Sequence, residues 1–119
     1  MTLFAHRDQP SDKDLEDAGI MCTYASIGDI AGLSKCKEKG ISLDACDYDF
    51  RTPLHLAAAL GRFDTVKWLI ENGANLTSAD RFGGMAIHDA LRNHHSEIAE
   101  YLENLSYEAD IKYENPLDE

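Results

Sequence analysis

Residues recur along this chain at an interval of 33: Asp47 returns as Asp80, Gly28 as Gly61, Gly40 as Gly73 and Ala25 as Ala58. A period in this range belongs to a solenoid, in which one unit cannot bury its apolar face alone and the stacking of neighbours supplies the core. Three such units occupy most of the 119 residues and leave little chain for a catalytic domain. Attention therefore moves from a reaction pocket to an extended surface.

Each unit carries its own helix signals. In the first, Ile20, Tyr24 and Ile27 fall at i, i+4 and i+7, which predicts a helix from Gly19. Gly28-Asp29 supplies a break and a helix-starting acid, and a second helix over about 30–39 ends at Gly40, which suits a left-handed cap. The second unit is the clearest. Thr52 offers a capping hydroxyl, Pro53 has no amide hydrogen to waste in the first turn, and Leu54, Ala57 and Ala58 form one narrow apolar face. Gly61 breaks the chain, Asp64 sits at the next N-terminus, and Val66, Leu69 and Ile70 build an outer helix before Gly73. The third unit uses Ile87, Ala90, Leu91, Ile98, Tyr101, Leu102 and Leu105 as apolar positions. It differs in having Met85-Ala86 where the second has Thr52-Pro53, and His94 where the others have Gly28 and Gly61. Glu97, Glu100 and Glu103 share one face, as expected of a terminal repeat turned to water.

These signals predict an all-α solenoid of three helix-turn-helix repeats, about 14–46, 47–79 and 80–105, within a repeat domain over 19–105. Residues 1–18 read as a flexible acidic arm, and 106–119 as a flexible acidic tail. The formal charge is −11, of which residues 1–18 carry −3 and residues 106–119 carry −4. That balance repels nucleic acid and anionic membrane surfaces, so neither is an expected partner, and it leaves homo-oligomerisation possible but not favoured. No apolar run approaches the ~20 residues that span a bilayer. The three cysteines, Cys22, Cys36 and Cys46, lack C-x-x-C spacing, and there is no secretory signal pattern at Met1. A reducing compartment, the cytosol or the nucleus, is the expectation.

The run Asp47-Tyr48-Asp49-Phe50-Arg51-Thr52-Pro53-Leu54-His55-Leu56-Ala57-Ala58-Ala59-Leu60-Gly61 resembles the ankyrin repeat. The resemblance covers about residues 19–105 and implies β-hairpin turns joining the repeats. It further implies binding of a protein partner by the hairpin tips and the exposed side of the inner helices. Carried onto this chain, the tips are Tyr48, Asp49, Phe50 and Arg51, then Arg81, Phe82, Gly83 and Gly84. The matching inner-helix positions are Ser26 and Ile27, Ala59 and Leu60, and Arg92 and Asn93. Tyr48, Phe50, Arg81, Phe82 and Arg92 concentrate the aromatic and arginine side chains typical of binding hot spots on this face. Phe50 stands where the family usually has glycine, so either the turn is altered or the ring is displayed.

Within the family, Tyr24-Ala25-Ser26-Ile27-Gly28-Asp29-Ile30, Asp47-Tyr48-Asp49 with Arg51-Thr52, and Asp80-Arg81-Phe82 with Asp89-Ala90-Leu91 resemble the ankyrin segment of glutaminases. Ankyrin-containing kinases are similar as well, and Tyr113-Glu114-Asn115-Pro116-Leu117 resembles the linker into such a kinase. The chain thus reads as a free-standing adaptor or as the regulatory ankyrin segment of a larger enzyme.

No catalytic residue, metal site or cofactor is expected. The resemblance assigns His55 to tying hairpin to helix, including a bond with Thr52, and the repeat pattern provides no nucleophile in a cleft beside it. His88, His94 and His95 cluster without an i, i+4 ligand pair. Cys22 and Cys36 fall at core positions as small hydrophobes, Cys46 lies nearer a tip and is the more exposed, and Gly83-Gly84 lacks the lysine and spacing of a phosphate loop.

Overall fold

The structure is a computed structural model that describes residues 9–108. Among these residues six helices form, in three consecutive pairs: α1 (Asp12–Ile27) with α2 (Ile30–Glu38), α3 (Pro53–Ala59) with α4 (Phe63–Glu71), and α5 (Ala86–Arg92) with α6 (Ser96–Glu108). α3 packs against both α1 and α5, so α1, α3 and α5 make an inner row, and each second helix packs on its own inner partner. The core is built where small side chains let the inner helices approach. Ala25, Ala57, Ala58 and Ala90 are fully buried among Met21, Leu33, Leu54, Val66, Leu69 and Leu102.

Every inner helix begins by a local device. Thr52 is in extended geometry and its Oγ1 accepts from the His55 amide, with Pro53 in the first turn. Each inner helix then breaks at the same register, with positive φ at Gly28 (77°), Gly61 (77°) and His94 (65°). Adjacent repeats are stitched at that break: Arg62 Nε donates to the Ser26 carbonyl at 2.8 Å, and His95 Nε2 makes the equivalent bond to the Ala59 carbonyl at 3.1 Å.

Four expectations change. Helix α1 starts at Asp12, inside the segment expected to be a flexible arm, and Asp17 and Ala18 are buried. The cause is a capping box, in which Ser11 Oγ accepts from the Asp14 amide at 3.0 Å and Asp14 Oδ2 accepts from the Ser11 amide at 3.2 Å. Second, the buried stripe of α1 is Ala18, Met21 and Ala25, whereas Ile20 and Ile27 are exposed. α3 meets the side carrying the small residues, which leaves the isoleucines outside. Third, Leu91 is exposed, because no described repeat stacks beyond α5 to cover the position that buries Ala58 in the second unit. Fourth, α6 continues to Glu108 with Ser106 buried, so the helix passes the boundary expected at 105. The rest of the acidic tail, Tyr113 to Leu117 included, and the first part of the acidic arm lie outside the described residues.

Candidate functional site

Two turns carry the tips, and one design builds both. In the second repeat Asp47 Oδ1 accepts from the amides of Asp49 and Arg51, each at 2.9 Å, and the Asp47 amide donates to the Arg51 carbonyl at 3.1 Å. In the third, Asp80 Oδ1 accepts from the amides of Phe82 and Gly84, each at 2.8 Å, and the Asp80 amide donates to the Gly84 carbonyl at 2.8 Å. The aspartate at the 33-residue register is thus the turn's own template. A backbone bond from Arg81 to the Asp49 carbonyl, 2.7 Å, joins the two turns side by side.

His55 ties this layer to the helices. Its Nδ1 accepts from the Thr52 amide at 3.1 Å and lies 2.9 Å from Thr52 Oγ1, while Nε2 contacts the Gly84 carbonyl at 2.9 Å. Because Nδ1 accepts, the ring hydrogen is on Nε2 and donates to Gly84. His88 Nδ1 accepts from the Met85 amide at 2.9 Å in the matching place of the third repeat. With His55, His88 and His95 each holding backbone, these histidines organise repeats. Among the described residues no group of three or more His, Cys, Asp or Glu side chains is placed to hold a metal ion.

Between the tips and the inner helices lies a groove of about 520 Å³. It brings together six of the expected binding residues, Asp49, Arg51, Leu60, Phe82, Arg92 and Asn93. Its apolar rim is pronounced: Phe82 is 80% exposed and Leu60 48%, and Tyr48, 66% exposed, projects from the neighbouring tip outside the groove itself. Two expected anchors are engaged elsewhere. Phe50 is only 4% exposed, so its ring is not displayed. Its backbone is left-handed, φ 60°, at the register where the third repeat has Gly83. Arg81 lies over that ring at 4.8 Å, donates to the Tyr48 carbonyl, and stands 3.7 Å from Asp49. Its guanidinium holds the second tip in place instead of offering itself to a partner.

The groove also contains residues that the sequence did not single out for binding, Asp80 and Asp89. Asp89 comes from α5 and its side chain is 2% exposed; one oxygen, Oδ1, pairs with Arg92, three residues along. Its Oδ2 has no hydrogen-bond partner, alone among buried side-chain polar atoms of the described residues. A buried polar atom left in this state costs ~1–3 kcal/mol. The signal available in the sequence was small: an acid at the inner-helix position that holds Thr23 and Leu56 in the other units.

The three cysteines are free thiols. Cys36 is buried, and Cys22 and Cys46 are both half-buried, so Cys46 does not stand out in exposure. Burial, and secondarily the Asp47 carboxylate, pushes the Cys22 thiol up to about 12, with Arg51 opposing. It stays protonated and unreactive at neutral pH.

Stacked helix pairs, aspartate-built turns and alanine-lined inner helices define a repeat solenoid. Residues 28–70 and 54–103 match the family described as ankyrin repeats (many copies), and the chain belongs to the ankyrin-repeat family. Its relatives are diverse. It is 37% identical over 81 residues to the mitochondrial liver isoform of glutaminase from Rattus norvegicus, covering 67% of this chain and 14% of that protein. Serine/threonine-protein kinase 12 of Arabidopsis thaliana is 34% identical over 88 residues, covering 73% and 19%. The potassium channel GORK of the same plant is 35% identical over 86 residues, covering 72% and 10%. The glutaminase and kinase likenesses agree with the sequence reading, and the channels add a class it did not name. In each case this chain matches under a fifth of the relative's length. Ankyrin repeats are protein-interaction modules and the fold itself is non-catalytic. No helix of the described residues is long and apolar enough to cross a membrane.

Proposed function

We propose that this ankyrin unit binds a protein partner through the groove between the tips of repeats two and three and the inner helices α3 and α5, and performs no chemistry of its own. The exposed aromatic rim carries this reading: Tyr48 and Phe82, 66% and 80% exposed, sit on adjacent turns that are braced from behind by Arg81 and His55. Large apolar groups on a rigid, rimmed concavity are what binding hot spots require. The negative charge of the chain favours a basic partner over nucleic acid or an anionic membrane, and the free thiols suit the cytosol or nucleus. The test compares proteins captured from extract by the wild type and by a Tyr48→Ser/Phe82→Ser variant. Loss of specific captures with an unchanged melting temperature is expected; full retention removes this face.

A second reading places the same unit as the regulatory segment of a larger protein. The small share of each relative that the chain matches, 10–19% in the three cases above, favours it. Denaturing electrophoresis of the native polypeptide separates the two readings. A species at 13.2 kDa supports a free-standing adaptor. A much larger one supports the regulatory segment, and its other peptides name the domain served.

A further inference from the structure

We propose that the floor of this groove is a lysine pocket, in which the buried carboxylate of Asp89 receives the ammonium group of a lysine from an extended segment of the partner. The inference rests on the groove being the binding face and names what that face selects. Asp89 lines the groove with a side chain only 2% exposed, and its Oδ2 lacks any hydrogen-bond donor. Native folds rarely leave such an atom unmet, and a donor that arrives with a ligand accounts for it.

The geometry chooses among donors. An arginine fork is matched to both oxygens of a carboxylate, but Arg92 already occupies Oδ1. One open oxygen suits a compact point charge, which is what a lysine ammonium is. The surroundings agree in sign. Asp49 and Asp80 line the same groove with Asp89 against Arg51 and Arg92, so the excess charge is negative, and an acidic or phosphorylated segment is repelled. Leu60 and Phe82 at the rim can cover the methylene stem of the incoming side chain. Arg92, 65% exposed in its side chain, stays on Oδ1 and leaves Oδ2 as the single open acceptor.

The test displays nine-residue peptides to the full chain in two libraries that share random flanks, one with a fixed central lysine and one with methionine there. The expected result is at least ~10-fold enrichment of the lysine library on the wild type, the size of one charge-assisted hydrogen bond. Asp89→Asn should bring the two libraries level, with native circular dichroism checked first because the site is buried. Arg92→Gln, at an exposed side chain, tests the idea independently: it opens Oδ1 and should raise the lysine preference severalfold. A preference that Asp89→Asn leaves intact in a folded protein, or that Arg92→Gln fails to raise, overturns the pocket. Equal enrichment of both libraries, lost in the Tyr48→Ser/Phe82→Ser variant, overturns the pocket and leaves the binding face standing. Enrichment of neither overturns both.

Discussion

Phe50 and Gly83 occupy one backbone position, 33 residues apart, with φ of 60° and 87°. Glycine takes that geometry freely, whereas a side chain there costs ~1–2 kcal/mol. Phe50 tolerates it because its ring is buried and capped by Arg81. Removing the ring as Phe50→Ala should cost ~3–5 kcal/mol, as for other buried aromatics. Phe50→Gly loses the same ring but relieves the strain, so in urea denaturation it should exceed the alanine variant by ~0.5–1 kcal/mol, the reverse of the usual order. At Cys22 the prediction concerns pH. The folded thiol is raised from 9.0 to about 12, so folded and unfolded states are alike below pH 9. Above it the unfolded thiol ionises while the native one keeps its proton, and stability falls by up to ~1.4 kcal/mol per pH unit. Between pH 8 and 10 the wild type should lose about 1.3 kcal/mol more than Cys22→Ala, measured by chemical denaturation.

The elements of the second repeat were legible because local chemistry and tertiary packing agree there: Thr52 and Pro53 start α3, Gly61 breaks it, and Gly73, with φ 100°, follows α4. Leu54 is 2% exposed on a helix seven residues long, held from both sides by α1 and α5. A helix this short is not stable alone, so its packing supplies its stability. Leu54→Ala should cost ~2–5 kcal/mol, read as a lowered urea midpoint. Helix α1 was only half legible. Its capping box, Ser11 with Asp14, sits in an acidic stretch that reads as solvated chain, and two overlapping stripes run along it. Both the Ile20–Ile27 stripe and the Ala18–Met21–Ala25 stripe have helical spacing; the approach of α3 selects the second. Hydrophobicity alone ranks them the wrong way, because close packing of inner helices favours alanine over isoleucine.

At the scale of the molecule, the proposed binding face is a product of stacking. Arg81 reaches from the third repeat to brace Phe50 and Tyr48 of the second, and His55 of the second reaches Gly84 of the third. The paired-serine variant, Tyr48→Ser/Phe82→Ser, should therefore alter binding without altering the melting temperature, since both rings stand outside this bracing. By itself the sequence determined the repeat, its register, the helix starts of the second unit and which turns face outward. Each of those is written in local signals: a glycine where φ must be positive, a capping threonine, an aspartate that templates its own turn. Only the tertiary structure decided that Phe50 is buried, that Arg81 is committed to a neighbouring tip, and that Asp89 lies on the floor of the groove with one oxygen unmet. Those outcomes depend on which groups from different repeats meet, and a 33-residue period states the spacing of repeats without stating what lies across the gap between them.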